Sequence, residues 1–408
     1  MMTTDNTGDQ ANGQKGGKVL QFYRKFAFTI WVLIFVAASM LYPAAFRLWF
    51  GTDLKVLIVP LIQIITFGMG TTLSAKDFRG VLTMPRPVLI GIFLQFTIMP
   101  LVGFTIAMTF GFDPEVAAGI ILIGSVSSGV ASNVMTYLAR GNVPLSVTIT
   151  SSTTFLSPFV TPFWMKTLAG RLIPVDFVLM MLSIFNMIII PIIAGLVANR
   201  ILYSKKTWAR QSASLAVISA TAIGLAIAVS FTPKNIWGPV AALKTGVFLG
   251  FLLIGISAFA KLIIRIALKG PENWMDKTLP VVSMASICFI IAIITAQSRD
   301  ELLSVGLALI GAAVLHNGIG YLLGYWGARL GRLDESACRA VAMEVGMQNG
   351  GMASGIAIDV LKSTSAALAP AIFGPWMNVS GSLLAGWWRR RPVPAQTTDE
   401  LSEFADMT

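Results

Sequence analysis

An all-α, multi-pass membrane protein is the fold class this chain predicts, on three observations: its composition, the length of its apolar runs and the placement of its basic residues. Of 408 residues, 55% are hydrophobic and only 12% charged, with a mean hydropathy of +0.76. Soluble domains carry about 25% charged residues. Twelve apolar runs, near 27–48, 54–75, 87–110, 115–138, 144–168, 177–199, 212–232, 240–264, 279–298, 303–328, 336–361 and 364–388, approach or exceed the roughly 20 residues that a helix needs to cross the hydrocarbon core. With the N-terminus inside and the runs alternating, 22 of the 30 lysines and arginines fall on the inner side, among them Lys76, Arg140, Lys206, Lys261, Arg329 and Arg389. This is the positive-inside bias, and it places both chain ends in the cytoplasm. The net charge of +11 is therefore a topology signal and not a nucleic-acid footprint.

Residues 1–26 are polar and rich in Gly, Asn, Gln and Thr, and read as a disordered cytoplasmic tail. They lack the layout of a signal peptide. Residues 391–408 read as a short acidic cytoplasmic tail. The two cysteines, Cys288 and Cys338, form no spacing motif, and the single histidine, His316, excludes a His-rich transition-metal cluster. Tryptophans at run ends, such as Trp49, Trp208 and Trp387, stand where an interfacial belt would put them. The expected surroundings are the lipid bilayer of a plasma membrane, a bacterial inner membrane.

Two runs are not plain spans. Run 336–361 contains AMEVGMQNGGMASGIA, residues 342–357, with Glu344, Gln348, Asn349 and four glycines. Asp359 lies near the outer end of that run, so Glu344 alone sits well inside a span. A carboxylate at the bilayer centre costs about 2.5–3.5 kcal/mol on insertion scales and reads by default as functional. The bland alternative is a protonated Glu that ties helices together. The glycines serve close packing equally well, but beside Glu344, Gln348 and Asn349 they favour an unwound segment. Run 115–138 carries a second interruption, GSVSSGVASNVMTY, with Ser125, Ser127, Ser128, Ser132 and Asn133 at mid-depth. A pair of interrupted helices, one in each half of a chain, points to a secondary transporter's midplane site. Run 144–168 adds Ser146, Thr148, Thr150, Ser151, Ser152, Thr153 and Thr154, any one of which could simply bond its own helix carbonyls.

These blocks resemble the bile acid:sodium symporter family, especially its bacterial members. The resemblance is carried by ASNVMTYLARGNVPLSVTIT (131–150), HNGIGYLLG (316–324), EVGMQN (344–349) and NVSGSLLA (378–385), with FGMGTTLSAKDF (67–78) and QFTIMP (95–100). It covers about 27–205 and 275–390. It implies two inverted five-helix repeats with crossed broken helices, a core domain and a panel domain. The division expected is a first repeat and the start of a second over 27–204, a helical-pair insertion over 205–275, and the remainder of the second repeat over 276–390. The family's two sodium sites carry over as Ser132, Asn133, Ser146, Thr150 and Glu344 for one, and Gln95, Glu344, Gln348 and the carbonyls of Val345 and Met347 for the other. Its substrate cavity implies Gly129, Val130, Asn349, Met377 and Asn378. The chain departs from the family at Ser127-Ser128-Gly129, where a Pro-Gly-Gly-like break is usual, and at Val130 and Met377, where polar residues are common.

The function implied is sodium-coupled symport, with two Na+, of a small amphipathic organic anion into the cytoplasm, a bile-acid- or pantothenate-like carboxylate or a sulfonate. The alternatives are an ion-driven exporter of the same fold, of the arsenite type, and a non-transporting membrane sensor. A third rival is an intramembrane hydrolase using Ser354 and His316, for which the spacing offers no support. The sequence carries no signal for oligomeric state.

Overall fold

The computed structural model describes residues 30–73, 80–204, 206–270 and 274–391. The expected tails, 1–26 and the residues beyond Arg391, lie outside this range. The first half runs α1 (Ile30–Leu41), α2 (Ile58–Thr72), the single turn α3 (Gly80–Thr83), α4 (Pro85–Phe110), α5 (Pro114–Ser125), α6 (Ala131–Leu138) and α7 (Val143–Trp164). It continues with α8 (Phe177–Ile184), α9 (Ile190–Tyr203), α10 (Ser212–Phe231), α11 (Lys234–Trp237) and α12 (Lys244–Lys261). The chain closes with α13 (Trp274–Gln297), α14 (Arg299–Leu330), α15 (Glu335–Gly346), α16 (Gly350–Asp359) and α17 (Thr364–Arg389). A two-stranded hairpin, Leu48–Trp49 with Thr52–Asp53, turns the chain between α1 and α2.

Helix starts follow local chemistry. Asn142, Asp176, Asp334, Asn349 and Ser363 each accept a backbone N–H of the following first turn, satisfying a donor that has no intrahelical partner. Pro85 and Pro114 open α4 and α5, where a missing N–H costs nothing. Among the described residues, seven helical segments are long and apolar enough to cross a membrane by length and composition. The other predicted runs hold α1, which is short, the interrupted pairs α5–α6 and α15–α16, and the helices α7 and α17. These last two reach the length, but hydroxyls, amides and prolines dilute their apolarity.

Packing sorts the helices. α4, α5, α7, α14, α15 and α17 contact one another around α6 and α16, while α2 packs on α9 and α13. α10 pairs with α12, and α12 with α9. Between α8 and α9 the chain makes a π-helical turn, Phe185–Ile189. Two carbonyls in this turn, those of Asn186 and Met187, accept from Gln63 Nε2 (3.0 Å) and Thr66 Oγ1 (3.0 Å) of α2. Asn186 Oδ1 then accepts the Gly246 N–H at the start of α12 (2.6 Å). Ser183 of α8 donates to Asp359 of α16.

Candidate functional site

Both expected interruptions are present, over residues 126–130 and 347–349, and they cross. Ser128 pairs with Gln348 in an isolated antiparallel bridge. The Gly129 N–H donates to Met347 O and the Asn349 N–H to Ser127 O, both at 2.9 Å. The broken helices thus satisfy part of each other's freed backbone, which the bilayer interior demands. Their approach requires glycine at 129, because a Cβ there would stand 2.8 Å from Gln348 O. Gly346 has a different role: a Cβ on it would enter the Tyr321 ring at 2.1 Å. One of the glycines that suggested a break is therefore a packing residue.

Beside the crossing, Glu344 is fully buried. Its Oε1 accepts from Ser132 Oγ (2.5 Å) and Ser146 Oγ (2.5 Å), and its Oε2 from Thr150 Oγ1 (2.7 Å). Asn133 Oδ1 stands in the same network, 2.8 Å from Ser146 Oγ and 3.2 Å from Thr150 Oγ1. Glu344 takes part in none of the ion pairs among the described residues. A hydroxyl has one proton, yet each of these three has another acceptor in reach: Gly129 O for Ser132 (2.7 Å), Thr136 Oγ1 for Ser146 (3.1 Å) and Ser146 O for Thr150 (3.0 Å). Each can therefore rotate its proton away and present a lone pair. The five residues of the first expected set form one oxygen-rich nest.

The second set is only partly gathered. Gln95 Nε2 donates to Gln348 Oε1 (2.5 Å) and Val126 O (3.1 Å), and Gln348 Nε2 donates to Val345 O (2.6 Å). Gln95 Oε1 is buried with no partner, so an acceptor oxygen remains open there. The Met347 carbonyl, however, accepts the Gly129 N–H in the crossing, and no hydrogen bond links Glu344 to the Gln95–Gln348 pair.

A cavity of about 640 Å³ adjoins the crossing. All five expected substrate residues, Gly129, Val130, Asn349, Met377 and Asn378, line it. Met377 also supports the break, its Sδ accepting the Gln348 N–H at 3.0 Å. The side chain of Asn349 caps α16 by accepting the Met352 N–H (3.0 Å). The opposite wall comes from α2 and α13, including Ile65, Met69, Ser283 and Ile287. Sequence reasoning missed these residues, because apolar positions in a span look alike whether they face a cavity or lipid. Ser354 also lines the cavity, whereas the His316 ring lies against Phe373 (centroids 5.3 Å apart), and no contact joins the two.

Residues 59–238 match the family model described as the sodium bile acid symporter family. YocS of Bacillus subtilis, named as an uncharacterized sodium-dependent transporter, is 32% identical over 378 residues, which is 93% of this chain and 95% of the relative. A chloroplastic protein of Arabidopsis thaliana, BASS1, named as a probable sodium/metabolite cotransporter, is 26% identical over 373 residues, covering 91% of this chain and 75% of its own. Among solved structures, the sodium proton antiporter MjNhaP1 of Methanocaldococcus jannaschii matches with a TM-score of 0.54 at 13% identity, over 93% of this chain and 96% of that one. That likeness is one of fold alone. The curated relatives named here are transporters, which sets the hydrolase reading aside. On its likeness to YocS over nearly the whole of both chains, this chain belongs to the sodium bile acid symporter family and is a sodium-dependent, multi-pass transporter of the plasma membrane.

Proposed function

We propose that the protein imports a small amphipathic organic anion together with two sodium ions. The observation that carries this reading is Glu344, a fully buried carboxylate ringed by hydroxyls and an amide oxygen, with no cation among the described residues paired to it. An isolated buried charge is costly unless something compensates it. Na+, a hard cation that takes oxygen ligands, supplies the missing charge among Ser132, Asn133, Ser146, Thr150 and Glu344. The second ion would use Gln95, Gln348, Glu344 and the carbonyls of Val345 and Met347, and the open Gln95 Oε1 supports that placement. The anion's head would sit at the crossing, where helices α6 and α16 begin beside Val130 and Asn349 and direct their N-terminal dipoles at a negative group. Its apolar body would lie along Val130, Met377 and the wall of α2 and α13.

The same punctuation in both halves supports an inverted-repeat architecture. α5 and α15 each have twelve residues, and each is followed by a break, a second short helix and a side-chain-capped long helix. Arg140 (φ 55°) and Lys362 (φ 53°) make the corresponding left-handed turns just before the caps. On this reading 27–204 and 276–390 form the transport unit, and 205–275 is an inserted pair that packs on α9, away from the crossing.

The test is thermal. Na+ should raise the melting temperature where K+ does not. At a hundredfold its Kd a single bound ion stabilises by about 2.7 kcal/mol. Glu344→Gln should remove the Na+ shift and sodium-driven uptake while the protein still folds, since the three hydroxyls keep their other acceptors. Normal sodium-driven uptake by that variant would overturn the assignment.

A further inference from the structure

We propose that Ser283 is a second polar station of the cavity, selecting anions whose apolar body carries a hydrogen-bonding group away from the charged head. The proposal rests on the reading of this cavity as the organic-anion site. The polar groups of the lining gather at the crossing and on the helices beside it: Gln348, Asn349, Ser354 and Asn378. The facing wall is built mainly from apolar residues such as Ile65, Met69, Leu279 and Ile287, and carries two hydroxyls: Thr72 at the end of α2, which donates to Met69 O (2.8 Å), and Ser283 of α13.

The Ser283 hydroxyl differs from those of Ser152, Ser157 and Ser382. Ser152 donates to Thr148 O, Ser157 to Thr154 O and Ser382 to Asn378 O, each at 2.7 Å, so those serines are satisfied by their own helices. Ser283 makes no hydrogen bond with any described residue, which leaves its donor and lone pairs for whatever enters the cavity. The opposing helix leaves it uncovered: a Cβ on Gly68 of α2 would come only to ordinary contact with Ser283 Oγ and Leu279 Cδ2, both at 3.5 Å. The cavity, at about 640 Å³, lies in the range of sites for extended, drug-sized molecules, roughly 300–1,000 Å³. An anion held by its head at the crossing therefore has room for a body that reaches α13. None of the residues in the oxygen nest around Glu344 comes from α13 or α2, so Ser283 can be altered without touching that nest.

The prediction concerns a ratio of affinities. Binding of decanoate and of its monohydroxy positional isomers would be measured with the purified full-length protein in Na+, for the unaltered chain and for Ser283→Ala, Ser283→Thr and Gly68→Ala. At least one hydroxy isomer should lose about fivefold to tenfold in affinity relative to decanoate in Ser283→Ala, the scale of one neutral hydrogen bond. Ser283→Thr should keep the preference, and Gly68→Ala, which lays a methyl over the hydroxyl, should weaken it. Decanoate, which carries no group for the hydroxyl to meet, is the reference for that ratio. If every isomer keeps its affinity ratio in Ser283→Ala, the station is overturned while the cavity reading stands. If neither decanoate nor any isomer binds the unaltered protein in Na+, the cavity reading falls and the station falls with it.

Discussion

A methyl group on Gly129 would stand 2.8 Å from the carbonyl oxygen of Gln348, closer than real side chains come to backbone. Because the Gly129 N–H is also bonded to Met347 O, neither strand of the crossing can retreat without losing a hydrogen bond. Gly129→Ala should cost about 1–3 kcal/mol, as overpacking does, and should abolish uptake. Gly224→Ala in α10 is the control: nothing lies within 4 Å of its Cβ position, and the better helix former should leave melting and uptake unchanged or raise stability slightly. Equal effects of the two substitutions on transport would mean that the crossing tolerates a side chain. Glu344 illustrates the complementary point at this scale. Its chemistry is legible as a buried acid, but its partners Ser132, Ser146 and Thr150 lie 194 to 212 residues away in sequence.

Among the elements, the pair α10–α12 invites a direct test. α12 contacts both α10 and α9, with Ser219 Oγ donating to Gly255 O (3.0 Å) and Lys261 Nζ to Ile201 O (2.7 Å). The positive-inside assignment puts the ends at Lys206 and Lys261 inside. A cysteine replacing exposed Asn235, in the short α11 between them, should therefore label from outside, and one replacing exposed Lys206 from inside. Labelling of both from one side would reject a pair of crossings here. The pair's boundaries were legible as two apolar runs. Its docking was not, since the Gly246 N–H to Asn186 Oδ1 contact depends on where the π-turn of the preceding span falls.

For the molecule as a whole, the proposed cargo fixes an electrical consequence. Two sodium ions, one monoanion and the Glu344 carboxylate together make a neutral loaded site, which can cross a low-dielectric region without uncompensated charge. The empty site returns with Glu344 alone, so one positive charge enters per cycle. Each such charge is driven by about 2.3 kcal/mol per 100 mV, inside negative. In proteoliposomes an inside-negative potential should accelerate sodium-driven uptake, and a null potential should slow it. Uptake indifferent to potential would require a different ion count or a dianionic substrate.

The sequence by itself determined the membrane class, the apolar runs that hold the long helices, the two interruptions and the place of Glu344 beside one of them, because each rests on a local contrast. A charge in an apolar run, a glycine beside an amide or an arginine at a run end is expensive or informative wherever the chain folds. The tertiary structure alone decided which apolar residues face the cavity. Ile65 lines it while Leu89, equally apolar, is exposed on the lipid side, and hydropathy cannot separate them because lipid and protein interior are alike apolar. Tertiary contact also decided that Gln63, Thr66 and Asn186 meet at the π-turn, and that Gly346 packs against Tyr321. Polar groups inside a membrane must find partners, and only the fold says which ones are in reach.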